Sequence, residues 1–210
     1  DDYHDVELKH RVGKAWAKFA MLRNELTNKI YDLRKRTKLF MTVVQPSLLY
    51  GCESWTMTRA REKKVRTTQR KMLRQILGAK RLVDDQGLLE EWVDWMVRTT
   101  KLAGEMAANH DVPDWVVEAH REKYRWASQV CQVQDERWTL QALRWSVNGS
   151  RKRGRPLTRW SDSFTKFFKD ISERFDNVSS SRNDFWMAQA EDTTAWDNLE
   201  EDYLNFVAGV

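Results

Sequence analysis

Basic side chains recur at helical spacing between residues 59 and 74 of this 210-residue chain. Eight basic residues in that stretch stand against a single acid, Glu62. A cationic row on one helix face can follow a nucleic-acid backbone, where neutralised phosphates release counterions. The alternative is a solvated helix face, although such faces normally mix both signs of charge. The predicted contact set, which we call the cationic ridge, is Arg59, Lys63, Arg66, Arg70, Lys71 and Arg74, and all but Lys71 follow at steps of three or four residues.

A second basic cluster surrounds an Arg-Gly-Arg-Pro sequence. Gly154 lets the backbone approach a surface closely, and Pro156 disfavours the helical conformation for the residue before it. An extended arm of guanidinium groups suits a narrow minor groove, so the segment resembles an AT-hook; a nuclear import signal is the other interpretation. Trp145 and Trp160 flank this arm and could either anchor it or stack on a base. The side chains predicted to contact nucleic acid here are Arg151, Lys152, Arg153, Arg155 and Arg159.

No other constellation predicts catalysis or metal binding. Asp84 and Asp85 are adjacent acids, but the sequence identifies no further acid that would complete a two-metal site, and a polar turn is the simpler interpretation. The four His lack the spacing of helical metal ligands, and the two Cys are 79 positions apart. Ser128 and Cys131 have no identifiable His partner. We therefore expect no catalytic residue, no metal and no cofactor on this chain.

Charge alternates in blocks along the chain. The net charge is only +5, yet residues 59–81 hold ten basic residues against one acid, and residues 121–160 hold ten against three. Residues 82–120 and 161–210 are acidic instead. Basic blocks of this strength indicate a polyanionic partner. Two lone cysteines, with no signal-like or membrane-spanning run, predict an intracellular location, and we prefer the nucleus over the cytoplasm.

Helices must position both clusters, because helical periods dominate and three Pro and eight Gly leave few breaks. We predict an all-α fold, with the Gly78 to Gly87 turn as the best boundary between two helical subdomains. Residues 146–157 and 179–182 are predicted to be a loop and a linker. The predicted helices cover 8–33 in one piece; 38–50, buried almost all round and kinked at Pro46; 58–77, capped by Thr58 and ended by Gly78; a stripe of Leu88, Trp92, Trp95, Thr99, Leu102 and Met106; a fifth beginning near Asp111 and Pro113; 135–145, capped by Asp135; 158–175, opened by Thr158; and 195–206, capped by Thr194.

Several ordered strings resemble the region that follows the palm in LINE-type (non-LTR) retrotransposon reverse transcriptases. The similarity extends from about Val12 to about Leu199, in the family's order. The chain departs from the family's Trp-x-Gly-His-Val-x-Arg pattern at Ser128, Gln129 and Gln132, and Thr193 stands where an Arg is common after Asp192. The matching strings are LLYGCESWT over 48–56, QRKMLRQILG over 69–78, Arg125 and Trp126 through Val130, Asp135 to Arg137, the block from Arg151 to Trp160, and Trp186 with Ala190, Asp192 and Trp196.

The resemblance implies a thumb-like three-helix bundle over residues 1–80 and post-thumb helices over 81–145. It further implies a basic Arg/Gly loop over 146–158 and C-terminal helices with an acidic tail over 159–210. The family's polymerase carboxylates belong to a Tyr/Phe-x-Asp-Asp motif upstream of the thumb, so this region lacks the palm and the endonuclease and is expected to bind nucleic acid without catalysis. The cationic ridge would then follow the template and primer duplex, and the arm over 151–159 would hold target DNA or template RNA.

Two other functions are compatible with the same residues. The chain could be a free-standing chromatin protein that uses Arg153 to Pro156 as a minor-groove hook. It could also be a helical protein-interaction module in which acidic and basic blocks serve self-association. We expect nucleic acid as the partner, with neither a membrane nor a small-molecule substrate.

Overall fold

A computed structural model describes residues 3–132, 138–144, 158–174 and 185–209. Within these ranges the regular structure is helical, apart from one isolated antiparallel bridge between Val83 and Leu89, and the predicted all-α class is confirmed. The chain forms two compact units, Asp1–Tyr50 with Arg59–Glu118 and Gly51–Thr58 with Ala119–Val210. The predicted functional regions that divide at residues 80, 145 and 158 stay a prediction; the Gly78 to Gly87 turn lies inside the first unit.

The first unit consists of helices joined by short turns. Its α7 helix continues into the second unit, since the division falls between Glu118 and Ala119. Among the described residues, no helix is both long enough and apolar enough to cross a membrane. The elements of the first unit are α1 (Tyr3–Met21), α2 (Arg23–Thr27), α3 (Leu33–Leu39), a π-helical turn (Phe40–Val44), α4 (Gln45–Leu49), α5 (Arg59–Leu77), α6 (Trp92–Asn109) and the start of α7 (Trp115–Gln132).

The single helix predicted over residues 8–33 is wrong, because the chain breaks there into α1, α2 and the start of α3. Asn28 is extended, with φ −74° and ψ 119°, and ends α2. The Asp32 carboxylate then accepts hydrogen bonds from the backbone N–H groups of Arg34 and Lys35, which caps a new helix. Ile30, predicted to lie on the buried stripe, is 87% exposed in the intervening turn.

The helical segment over residues 38–50 buries only one face, whereas burial on almost all sides was predicted. Phe40, Val44 and Leu48 are fully buried, whereas the opposite side reaches solvent. The irregularity predicted at Pro46 takes the form of a π-helical turn just before it, in which the Gln45 N–H donates to the Phe40 carbonyl. Proline has no N–H to donate to the preceding turn, so the ladder changes register at this point.

Helix α5 begins and ends where its sequence predicts. It starts directly after Thr58 and stops at Leu77, and Gly78 follows with a left-handed φ of +60° that favours glycine. Its C-terminal end is held by Arg36, a 93% buried side chain whose Nη1 donates to the Ile76 carbonyl at 2.7 Å. The buried guanidinium therefore fixes the axis of α5 and, with it, the direction in which the cationic ridge points.

The stripe predicted along α6 is only partly buried. Thr99 and Met106 are buried, whereas Leu102 is exposed and Leu88 and Trp92 are more than half exposed. Trp95 explains the difference, because its Nε1 donates to the carbonyl of Ala79, a residue beyond the end of α5. The first turn of α6 therefore lies beyond the C-terminal end of α5, so α5 does not cover it.

The second unit packs its helices around a cluster of aromatic rings. Tyr124 and Trp196 stack with ring centroids 4.2 Å apart, and each donates a side-chain hydrogen bond to the other's backbone carbonyl. Burial raises the pKa of Tyr124. The described elements of this unit are a 3-10 turn (Cys52–Ser54), the rest of α7, α8 (Trp138–Arg144), α9 (Asp162–Arg174), α10 (Phe185–Glu191), α11 (Thr193–Asn198) and α12 (Glu200–Ala208).

Three predictions for the C-terminal helices need correction. Helix α9 begins at Asp162 rather than at Thr158, and the Asp162 carboxylate accepts the Arg159 N–H just before it. The predicted final helix is two helices, and Asp192 rather than Thr194 caps the first of them through the Ala195 N–H. Helix α10 was not predicted. The cap at Asp135 and the segments 146–157 and 179–182 lie outside the described residues.

Candidate nucleic-acid interface

Helix α5 buries one face and turns the other toward solvent. Val65, Met72 and Ile76 are fully buried. On the opposite face the sequence places only basic residues, Ala60 and Thr67, so apolar packing on one side dictates a cationic surface on the other. The exposed basic side chains of α5 are Arg59, Lys63, Lys64, Arg70 and Lys71. Lys64, which directly follows Lys63 in the sequence, was not in the predicted contact set.

These five exposed side chains are not neutralised by the folding of their own unit. In the part of the chain that the structure describes, none of the five forms an ion pair with a carboxylate. Arg59 and Lys71 are twelve positions apart, which corresponds to about 18 Å along the helix axis. The surface is therefore an uncompensated row of positive charge.

Two members of the cationic ridge are partly withdrawn from solvent. Arg66 donates from Nε to Asp114 Oδ2 at 3.1 Å, and its Nη1 lies 4.0 Å from Glu62 Oε2. Arg74 donates from Nη1 to the Thr100 hydroxyl at 2.9 Å. Burial lowers the pKa of Arg74, and the charge of Arg70 lowers it further. The predicted ridge is thus exposed at four of its six members and tied to neighbouring elements at two.

Asp114 was not predicted as part of this surface, although it decides the state of Arg66. Its Oδ1 accepts the Val116 N–H at 2.7 Å and caps α7, which leaves Oδ2 for the guanidinium. Beside it, Gln69 Nε2 donates to the Pro113 carbonyl and Gln69 Oε1 accepts the Trp115 N–H. This paired amide contact locks the start of α7 against α5.

The basic arm of the second cluster falls mostly outside the described residues. The predicted contacts of these residues with nucleic acid stay predictions. The residues outside the described ranges are Arg151, Lys152, Arg153, Arg155 and Trp145. Arg159 is described, and its side chain is exposed.

Trp160 sits in the aromatic cluster of the second unit. Its Nε1 donates to the Glu53 carbonyl at 2.7 Å, and its ring lies edge-on to Trp126 at 5.2 Å and to Phe164 at 5.3 Å. The buried Lys123 ammonium lies 4.8 Å from the ring centroid and donates to the Trp160 carbonyl. Of the two roles left open by the sequence, this geometry favours the anchor over a base-stacking platform.

The positions that depart from the family pattern make specific contacts in this chain. Gln132 Nε2 donates to Ser128 Oγ at 2.6 Å and to Thr193 Oγ1 at 2.8 Å. Ser128 Oγ in turn donates to the Ala190 carbonyl at 3.3 Å. Three of the departures therefore form one hydrogen-bonded set between α7 and the segment from α10 to α11.

The remaining polar candidates have structural roles. Asp84 Oδ1 accepts the N–H groups of Gln86 and Leu88 and closes the turn of a short hairpin, which agrees with the polar-turn interpretation. Cys52 and Cys131 are buried and do not form a disulfide. Within the described ranges, no group of three or more His, Cys, Asp and Glu side chains is placed to hold a metal ion.

Comparison with known proteins finds a relative that matches nearly the whole of this chain. It is 28% identical over 203 residues to a protein of Caenorhabditis elegans whose name describes it as an uncharacterized transposon-derived protein. The match covers 96% of this chain and 63% of the relative, so the chain spans less than two thirds of the relative's length. No family model matches the chain, and no solved structure matches it.

Proposed function

We propose that the chain is a nucleic-acid-binding part of a transposon-derived reverse transcriptase, corresponding to the thumb and post-thumb of the LINE-type enzymes. Three observations support the proposal: the uncompensated row of cations on α5, the ordered strings that resemble that family, and the name of the nematode relative. The first of these carries it, since the row supplies the physical means of binding.

The exposed row suits the backbone of a duplex. Its length of about 18 Å spans about five phosphates of one strand at 3.4 Å each. Arg59 and Arg70 offer forked donors that match phosphate oxygens, whereas Lys63, Lys64 and Lys71 act as point charges. Contacts of this kind position a duplex without reading its sequence.

The proposed role is to bind the template and primer, without catalysis by this region. Polymerase carboxylates of the family lie upstream of the thumb, so binding by this region would hold the template and primer while another part of the enzyme reacts. The arm over 151–159 is proposed to hold target DNA or element RNA. A nuclear site of action follows from that target, with the cytoplasm as the alternative.

Binding of fluorescently labelled duplexes, followed by anisotropy, tests the proposal against its two alternatives. We expect an RNA–DNA hybrid, an A·T-rich DNA and a G·C-rich DNA of equal length to bind with similar affinity, because the α5 row contacts only backbone. A strong preference for the A·T-rich duplex that is lost in Arg155→Ala would instead establish the minor-groove hook. If none of the three duplexes bound, the protein-interaction module would remain as the function of the chain.

A further inference from the structure

The first unit exposes a series of large apolar side chains between the end of α5 and the middle of α6. These side chains come from the hairpin before α6 and from the first turns of α6, and each is between 56% and 65% exposed. Large exposed apolar patches often mark binding sites in soluble proteins. Its members are Leu82, Val83, Leu88, Leu89, Trp92, Val93 and Val97.

A groove between α5 and α6 extends this apolar surface to the cationic ridge. It encloses about 790 Å³ and is lined on one side by Leu73 and on the other by Met96, Val97 and Gly104. Trp92 precedes Met96 by one helical turn, so the exposed indole lies on the same side of α6 as the groove, one turn beyond its lining. Trp92 is 57% exposed, and its ring makes no ring contact with another described residue.

The rims of the groove are basic. Arg70, a member of the cationic ridge, lies on the α5 rim, and Lys101 lies on the α6 rim; both are exposed. The lining also contains two acids, of which Asp114 is engaged by Arg66, so Glu105 is the acid that remains. Within the lining, the two exposed cations outnumber the one remaining acid, which favours a polyanion that also presents flat apolar faces.

We infer that this groove binds a single-stranded nucleic-acid segment that continues from the duplex held by the cationic ridge, with one base stacked on Trp92. The inference rests on the proposed function and adds a second contact to it. Phosphates of the strand would meet Arg70 and Lys101, and sugars and bases would cover Leu73, Val97 and the indole. Arg70 belongs to both surfaces, so a strand leaving the duplex meets the groove at a basic residue. The exposed acids Glu91 and Asp94 flank Trp92, so the contact there is made by an uncharged base and not by a phosphate.

The test compares a blunt duplex with the same duplex carrying a five-nucleotide overhang. Stacking of one base on an aromatic ring gives a gain in affinity of about fivefold to 140-fold. We expect the overhang to give at least a fivefold gain in the unmodified chain, and Trp92→Ala to abolish that gain while leaving the blunt duplex within twofold. Trp138, 84% exposed on α8 of the other unit, provides the matched control, and Trp138→Ala should change neither affinity.

Filling the groove gives an independent test. A Cβ built on Gly104 meets no atom within 4 Å, and the same holds for the exposed Gly13 of α1. Gly104→Leu should therefore fold normally and lose the overhang gain, whereas Gly13→Leu should keep it.

Each other outcome has a defined meaning. Equal binding of blunt and overhang duplexes by the unmodified chain would overturn the groove inference alone, whereas no binding of the blunt duplex would contradict the proposed function. Light scattering without nucleic acid measures whether the chain is a dimer. If the unmodified chain were a dimer and Trp92→Ala a monomer, a second copy of the chain would occupy this surface, and the inference would be overturned.

Discussion

The Nε atom of Arg66 lies 3.1 Å from Oδ2 of Asp114, so one of the predicted phosphate contacts is already occupied by a carboxylate of the same unit. Both side chains remain partly open to solvent, with 30% and 39% of their surface exposed. An ion pair at this level of exposure contributes at most about 1 kcal/mol to folding, because solvent screens it. Asp114 therefore tunes the charge of the surface more than it stabilises the fold.

Asp114→Asn should strengthen duplex binding. Asparagine keeps the helix cap at the start of α7, while the loss of charge releases Arg66 for a phosphate. One added contact should steepen the slope of log K against log salt by about 0.9. Anisotropy titrations at several salt concentrations measure the slope.

Asp111 offers the control, since it is exposed, has a left-handed φ of 53° that asparagine tolerates, and forms no ion pair with another described residue. Asp111→Asn removes the same charge, so a slope change equal to that of Asp114→Asn would contradict a specific role of the Arg66 contact.

Gln69→Leu should destabilise the first unit by about 2–4 kcal/mol, because it leaves the Trp115 N–H and the Pro113 carbonyl without their partner. Urea unfolding followed by circular dichroism measures the loss. Gln75 of the same helix is half-buried and makes none of these bonds, so Gln75→Leu should shift the unfolding free energy by less than about 0.5 kcal/mol. Similar losses in both variants would refute the bridging role of Gln69.

Glu90 should make the stability of the first unit sensitive to acid. Two hydrogen bonds from the Arg98 guanidinium, at 2.8 and 2.6 Å, lower the pKa of Glu90 from 4.5 to about 2. A carboxyl whose pKa falls on folding stabilises the fold above its unfolded pKa, and this contribution disappears as pH falls through the folded value. The relevant window therefore lies between about pH 4.5 and pH 2.

Glu90→Gln provides the corresponding measurement. Its midpoint of thermal unfolding should lie below that of the unmodified chain at pH 7, and the two midpoints should converge as pH falls toward 2. The control variant Glu105→Gln removes an exposed carboxyl of α6, and its midpoint should not converge with that of the unmodified chain in this way. A gap for Glu90→Gln that stays constant down to pH 2 would contradict the account of Arg98.

Local chemistry explains which parts of the fold could be predicted. The limits of α5 follow from its apolar period and from Gly78, which supplies the left-handed residue that ends it. The break between α2 and α3 escaped the same method because the apolar period continues across it. Only the capping carboxylate of Asp32 and the extended Asn28 reveal that the helix stops.

Contacts between distant residues explain what the sequence could not predict about the surface. Asp114 is 48 positions from Arg66, and no spacing rule connects them. Trp160 similarly owes its position to Glu53, 107 positions away. The exposed part of the cationic ridge was predictable because a single helix creates it, whereas its partial neutralisation depends on tertiary packing.

The dependence of duplex affinity on salt tests the central claim most directly. The triple variant Lys63→Ala, Arg70→Ala and Lys71→Ala should flatten the slope of log K against log salt by about 2.7, at 0.9 for each lost phosphate contact. Its control removes three exposed lysines of α1, at positions 9, 14 and 18, and so changes net charge equally. We predict that the α1 variant keeps the slope of the unmodified chain; equal flattening in both variants, or in neither, would contradict binding by the α5 row.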